Sequence, residues 1–251
     1  MGSKLIELRD LRGAFHNHTL ASDGNATIEE MRDAAIRLGL TYISINDHSQ
    51  SASYVNGLTP QQLSEQINRI FLLNQDNKGQ QCYLFTGTES DILADGSLDF
   101  DFNTLNTLDI VIASIHNRFQ NDKNAMTHRL VQAALNPQTC MIGHPTGRSL
   151  YTRQSAEFDI EKLLDACETS GCVLEINAST QRFDLNATHA AMAKERGIML
   201  AINADAHSPE GLEDLAYGIT IAQQAGLTPD GVLNCLELKD MQNWLLHKKS
   251  Q

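Results

Sequence analysis

Short apolar runs alternate with helical patterns along nearly the whole chain. The runs fall near Gly13–His18, Thr41–Asp47, Cys82–Glu89, Ile110–His116, Thr139–His144, Cys172–Asn177 and Ile198–Asp205. Each spans a few residues rich in aliphatic and β-branched side chains, which predicts strands. Between them, apolar positions recur every three or four residues. The clearest case is Ile28–Leu38, with Ile28, Met31, Ala35 and Leu38 on one face. Thr27 with Glu30 fits a capping box at its start, and Gly39 supplies the stop. Further helices are predicted over Pro60–Gln75, Asn124–Leu135, Ile160–Thr169, Asn186–Arg196, Pro209–Ala225 and Leu238–His247, with Asp159 as a start signal and Gly197 as a terminator.

Strand alternating with helix in this way predicts parallel strands joined by right-handed crossovers. An open doubly wound sheet would place ligands mainly at one crevice, whereas a barrel gathers the C-terminal ends of all its strands around one mouth. Metal-capable side chains end six of the seven predicted strands. Only a barrel brings six strand ends together, so an α/β barrel is the expected fold. The absence of repeats, low-complexity tracts and linkers predicts a single domain over residues 1–251. Gln50–Pro60 and Asp91–Asn106 are expected to be longer loops on the rim of the mouth.

The strand-end side chains define the candidate chemistry. His16-Asn17-His18 and Asp205-Ala206-His207 both have the form ligand-x-ligand. Residues two apart on a strand point the same way, so each pair is expected to grip one cation from one side of the sheet. Asp23 follows the first pair within Ser22-Asp23-Gly24. In Asp47-His48 we read His48 as a ligand and Asp47 as the carboxylate that orients its ring. Glu89 ends an apolar strand, where a carboxylate is costly unless it is paired or coordinates a cation. His116 and His144 close two further strands. Together these residues point to a multinuclear metal centre. His128, His189 and His247 lie on helical patterns and are expected at the solvated surface.

Composition narrows the setting. With 41% hydrophobic and 20% charged residues the chain reads as an ordinary globular protein. No apolar run approaches the roughly 18 residues of a membrane span, and no signal-peptide pattern opens the chain. The five cysteines form an odd set without a C-x-x-C pair, read as reduced, buried thiols. A cytoplasmic location without membrane partners is therefore expected. Nineteen basic against 31 acidic residues give a formal charge of −12, which disfavours a broad nucleic-acid footprint.

The motifs resemble those of the PHP family, named for polymerase and histidinol phosphatase, from Leu11 to about Leu246. His16-x-His18, Ser22-Asp23-Gly24, Asp47-His48, Gly87-Thr88-Glu89, His116, Gly143-His144-Pro145 and Asp205-x-His207 stand in family order. Asp91-Ile92-Leu93-x-Asp95-Gly96-Ser97-Leu98-Asp99, His144-Pro145-Thr146-Gly147-Arg148 and Leu174-Glu175-Ile176-Asn177-Ala178 are most similar to the PHP domain at the C-terminus of bacterial family X DNA polymerases. The resemblance implies a distorted seven-stranded (β/α)7 TIM-like barrel holding three divalent ions (Zn, Mn or Fe). The implied ligands are His16, His18, Asp23, His48, Glu89, His116, His144, Asp205 and His207. Two departures bear on metal preference and rate: Ala14-Phe15 replaces a usual Asp-Leu, and Ala204 replaces a common Thr or Ser. No polymerase domain is legible in the chain.

The implied reaction is phosphoester hydrolysis by a metal-activated hydroxide, with Glu89 bridging two ions and Asp205 and His207 placed near the leaving oxygen. Arg148 and Arg182 follow the fifth and sixth strands and are expected to hold the phosphate. Three divalent ions would bring about +6 against about −3 from Asp23, Glu89 and Asp205, so an acidic protein can hold a locally positive pit. The subgroup resemblance implies a 3′→5′ exonuclease or 3′-end processing activity on DNA. The alternative is a phosphomonoesterase acting on a small phosphorylated metabolite, as histidinol phosphatase does. An amidohydrolase also uses H-x-H after its first strand, but often needs a carbamylated lysine where this chain has Glu89 and His116. A non-catalytic, metal-stabilised interaction module is the reading from a different class. Oligomeric state is not readable from the sequence.

Overall fold

Seven parallel strands pair in chain order in the computed structural model, which describes residues 4–76, 82–117, 119 and 122–250. They are β1 (Gly13–Asn17), β2 (Tyr42–Ile45), β3 (Tyr83–Asp91), β4 (Ile110–Ser114), β5 (Met141–Ile142), β6 (Val173–Asn177) and β7 (Leu200–Asn203). At the mouth the ring closes, with His18 N donating to Ala206 O at 2.9 Å and Ala206 N to His16 O at 3.2 Å. At the other end a 3-10 turn, Leu233–Cys235, inserts between β1 and β7. Asn234 stitches the gap. Its side-chain amide donates to Gly13 O at 3.1 Å and Ile202 O at 2.8 Å, and its Oδ1 accepts from Ile202 N at 2.7 Å. This wedge is the distortion of the barrel.

The helices are α1 (Ile28–Arg37), α2 (Pro60–Gln75), α3 (Phe102–Asn106), α4 (Lys123–Leu135), α5 (Ile160–Ser170), α6 (Ala187–Glu195), α7 (Leu215–Gln224) and α8 (Leu238–Lys248). The Thr27–Glu30 capping box and the Asp159 cap form as the sequence predicts. Outward strand residues such as Ile43, Leu84, Val111, Leu174 and Ile202 pack against the helices in the main core. Inward residues, among them Phe15, Tyr42, Phe85, Ile112, Met141 and Val173, form a second cluster that Leu233, Met241 and Leu245 complete, so α8 plugs the bottom of the barrel.

Local departures have local causes. The strand expected over Thr139–His144 shrinks to Met141–Ile142. A Cβ on Gly143 would come within 2.3 Å of Ser114 Oγ, and His144 adopts a left-handed φ of 24°. The expected loop Asp91–Asn106 begins inside β3 and ends in α3, which Asp101 caps through Thr104 N at 2.8 Å. The helix expected from Pro209 starts as a 3-10 turn, Glu210–Asp214, before α7. Among the described residues no helix is long and apolar enough to cross a membrane.

Replacing Asn234 with Ala removes three buried hydrogen bonds and orphans strand groups on both sides of the wedge. A loss of about 3 kcal/mol is expected, read as a lowered midpoint in urea unfolding. An unchanged midpoint would show that the wedge is not what holds β1 to β7.

Candidate metal centre

The nine strand-end candidates converge at the mouth in four overlapping groups. These are His18, Asp23, His48 and His207; His16, His18 and Glu89; His16, His144 and Asp205; and His48, Glu89 and His116. Within each group the donor atoms lie within 4.8 Å of one another. His16 and His18 share a group, as strand periodicity predicts, but Asp205 and His207 do not. His16 and Asp205 have left-handed φ values of 60° and 53°, and the β1–β2 register shifts between Ala14 and Asn17. The pleat is broken there, so Asp205 and His207 fall into different groups. Left-handed backbone in non-glycine residues is strained and clusters at functional sites. Here it is braced: His16 N donates to Asn46 Oδ1 at 3.1 Å, and His144 N to Glu175 Oε2 at 2.6 Å.

Glu89, 1% exposed, lies at the centre. Its Oε1 is 2.9 Å from His144 Nε2, 3.1 Å from His16 Nε2 and 3.1 Å from His116 Nε2, while Oε2 is 2.9 Å from His48 Nδ1. Burial would raise its pKa, but His116, His16 and His48 outweigh that and hold the carboxyl well below its usual range. Asp205 is likewise held low against burial, by His16, His18 and Arg182. Burial lowers His48 and His207, yet the facing carboxylates, chiefly Glu89 and Asp23 respectively, raise them to about 10 and about 9. His18 and His144 are pushed down to about 4, by burial first and then by positive neighbours, His48 and His207 for one and Arg182 for the other. Without metal, the cluster balances its carboxylates with ring protons. Divalent ions would take the place of those protons.

The ring nitrogens test whether metal fits. His16 Nε2, His18 Nδ1, His48 Nδ1, His116 Nε2 and His144 Nδ1 are buried without a hydrogen bond. Three of them face Glu89 at distances that would permit one, but not in line with a ring N–H. Buried polar nitrogens left unpaired are costly, and a cation satisfies them. Two of the imidazoles are also oriented from behind. His16 Nδ1 is 2.6 Å from Glu175 Oε1, and His116 Nδ1 is 2.5 Å from Asp91 Oδ1. A carboxylate behind the ring fixes its tautomer and leaves the other nitrogen for a metal. The donor set fits.

The sequence reading overlooked Glu175 and Asp91 in these positions. Both carried a signal: Glu175 interrupts an apolar strand, and Asp91 stands two residues beyond Glu89 on the same strand. Glu175 also accepts from Asn203 Nδ2 at 2.8 Å and Asn177 Nδ2 at 3.2 Å, forming a polar layer beneath the ligands.

Other expectations need correction. Asp47 does not orient His48. It accepts from Thr19 N at 2.7 Å, Ser22 Oγ at 2.5 Å and Gln66 Nε2 at 2.6 Å, tying down the loop that presents Asp23. Arg148 turns away from the ligands: its Nε donates to Arg182 O at 2.8 Å and its terminal nitrogen to Phe183 O. Arg182 does reach the centre, its Nε lying 3.1 Å from Asp205 Oδ2. His128 and His247 are exposed as expected, but His189 is half-buried on α6. All five cysteines are free, and Cys82, Cys140, Cys167 and Cys172 are buried.

Two depressions open beside the ligands. One, of about 530 Å³, is lined by Arg182, Asp205 and His207. The other, of about 760 Å³, is lined by His116 and Phe119. Thr152 and Arg153 line both.

Comparison with known proteins places this geometry in context. The PHP domain matches residues 14–179. The chain is 40% identical over 242 residues to the DNA polymerase/3′-5′ exonuclease PolX of Bacillus subtilis, covering 96% of this chain but only 42% of that protein. It is 31% identical over 246 residues to a probable phosphatase of Thermoanaerobacter sp. (strain X514), covering 93% of this chain and 94% of that one. The fold is similar to that of histidinol phosphate phosphatase from Lactococcus lactis, solved with zinc, L-histidinol and phosphate. The TM-score is 0.57 at 16% identity, over 86% of this chain and 94% of the other.

Replacing Glu175 with Gln removes the charge behind His16 while keeping the side chain's size. Metal affinity is expected to fall roughly 10- to 100-fold, measured by competition with a chelator. Wild-type affinity in a folded variant would show that Glu175 serves the barrel and not the metal.

Proposed function

The chain belongs to the PHP domain family and is a metal-dependent phosphoesterase; on that premise we propose that residues 1–251 form one PHP domain that holds three divalent ions and hydrolyses phosphodiester bonds at DNA 3′ ends. The distances suggest how the donors divide. His18, Asp23 and His207 would hold one ion, His16, His144 and Asp205 a second, and His48, Glu89 and His116 a third, with Glu89 Oε1 also facing His16 and His144. Three to four donors per ion, all imidazole or carboxylate, suit Zn, Mn or Fe. Such ions supply Lewis acidity toward phosphoryl oxygens and lower the pKa of a coordinated water.

The protein's own groups do the rest. Glu175 and Asp91 hold the His16 and His116 rings in place. Arg182 lines the first depression beside Asp205, where its guanidinium fork would orient phosphate oxygens. Arg148, bonded to the carbonyls of Arg182 and Phe183, would act indirectly by holding the loop that carries Arg182. His207, 40% exposed on its side chain, lines the depression and would hold its ion through Nε2, its Nδ1 being engaged by Asp205 O at 2.8 Å.

The observation that carries the diester reading is the pair of depressions. A monoester has one group to accommodate beside the phosphate and a diester has two; here one depression borders Asp205 and His207 and a second borders His116, the two meeting at Thr152 and Arg153. The similarity to PolX agrees with a DNA 3′ end. The second reading is a phosphomonoesterase for a small phosphorylated metabolite. It is favoured by the probable phosphatase whose length this chain nearly spans and by the net charge of −12.

Metal-replete protein given a nitrophenyl monoester, the matching diester and a 3′-labelled single strand is expected to turn over the diester and release the terminal nucleotide. Turnover of the monoester alone rejects the diester reading in favour of the second. Metal analysis should return about three ions per chain, and fewer than two would overturn the three-ion centre. Arg182→Ala should lower kcat/KM roughly 100-fold with metal content unchanged, and Arg148→Ala should have a smaller effect.

A further inference from the structure

Two exposed tyrosines stand on braced loops on opposite sides of the mouth. After β2 the chain forms a loop closed at its base by Leu58 N donating to His48 O at 2.7 Å. Gly57 sits so close that an added Cβ would lie 1.9 Å from Ser49 O. Ser51 ties the loop to Asp99 Oδ2 through its N–H at 2.7 Å and to Asp91 Oδ2 through its hydroxyl at 3.0 Å. At the tip, in the 3-10 turn Ser53–Val55, Tyr54 is 65% exposed.

The loop after β5 is built on similar lines. Ser149 and Arg153 form an antiparallel bridge, and Leu150 N donates to Gln181 O at 2.8 Å. Arg153 donates to Gly147 O at 2.7 Å and stacks 3.6 Å over the Phe119 ring. The tip carries Tyr151, 82% exposed. In a ring of seven strands β2 and β5 are three apart, so these loops face each other across the ligands. The Tyr54 loop is joined to the cluster directly: Ser51 donates to Asp91 Oδ2, and the other oxygen of Asp91 is 2.5 Å from His116 Nδ1.

Resting on the phosphodiester reading, we propose that Tyr54 and Tyr151 are stacking platforms for the two terminal nucleobases of a single strand whose 3′-end linkage lies over the metal ligands. Bases have π-faces that an exposed tyrosine can stack on regardless of sequence. Both depressions run from the ligands to the Arg153 loop that carries Tyr151. Tyr54 stands on the loop that starts at His48 and is tied to Asp91 through Ser51. A strand end centred on the metals therefore has a tyrosine-bearing loop after β2 and another after β5. Charge argues for this mode. A protein of net charge −12 cannot track a long backbone electrostatically. Contact is therefore confined to the strand end, where Arg153 and Arg182 meet the phosphates and the tyrosines hold the bases.

The test uses metal-loaded protein and a short single strand, alongside the same strand with its two 3′-terminal residues abasic. Tyr54→Ala and Tyr151→Ala are each expected to weaken binding of the normal strand and raise its KM roughly tenfold, with kcat retained. Tyr54→Phe and Tyr151→Phe, which keep the ring, should behave as wild type. On the abasic strand the Ala variants and wild type should coincide. Equal losses on both strands, or a fall in kcat with KM unchanged, would overturn the proposal in favour of a structural role for the loops. Equilibrium binding separates the two levels of inference. If wild type binds the strand through the tyrosines without cleaving it, the phosphodiesterase reading fails and the platforms stand. If cleavage proceeds and the Ala variants bind normally, the platforms fail and the phosphodiesterase reading stands.

Discussion

A carboxylate sealed inside the mouth of a barrel is unstable unless positive charge surrounds it, and Glu89 sets that demand for the whole site. Four imidazoles, from His16, His48, His116 and His144, lie within 3.1 Å of its two oxygens. Removing a charge of this kind from water costs several kcal/mol, and the same low-dielectric setting strengthens its attraction for any cation that enters. The strands on either side of β3 therefore end in groups that can either carry protons or bind metal. That dual capacity is the physical basis of the centre.

Below the ligands, the barrel interior is not apolar throughout. Glu175, Asn177, Asn203 and Asn46 form a hydrogen-bonded layer between the ligands and the Phe15–Tyr42–Phe85 cluster. This layer reconciles two needs. It satisfies the backbone of His16 and His144 where left-handed φ removes them from the regular ladder, and it fixes ring orientation before a cation arrives. Rigidity below the ligands contrasts with variety above them. The rim is made of loops, each tied to a neighbour: Ser22 to Asp47, Ser51 to Asp91, Leu150 to Gln181 and Arg148 to Phe183. Substrate contacts would arise from that rim, and catalytic contacts from the layer beneath.

Much of the fold and of the set of side chains that cluster at the mouth was legible in the chain because both rest on local regularities. Alternating short apolar runs and helical periods announced the parallel barrel, and caps such as Thr27 and Thr59 lie where short-range hydrogen-bonding rules place them. Ligand candidates stood out because a polar, metal-capable side chain at the end of an apolar run is unusual on physical grounds. Glu175 sits within a strand, where an isolated acidic residue is easily absorbed into the pattern, and Asp91 extends β3 two residues past the end that the apolar run marks. Arg148 and Arg153 differ by five positions in one loop and both brace backbone, and no periodicity shows that only Arg153 borders both depressions.

The sequence by itself determined the strand–helix alternation, the parallel barrel and the identity of the side chains available to a cation, since these follow from side-chain chemistry and short-range geometry. Only the tertiary structure decided how those side chains are grouped. The left-handed turn at Asp205 parts it from His207, which strand periodicity would have kept together, and loop bracing chose which arginine faces the centre. Such choices depend on contacts between residues far apart in the chain, made possible by ring closure, and no local pattern records them.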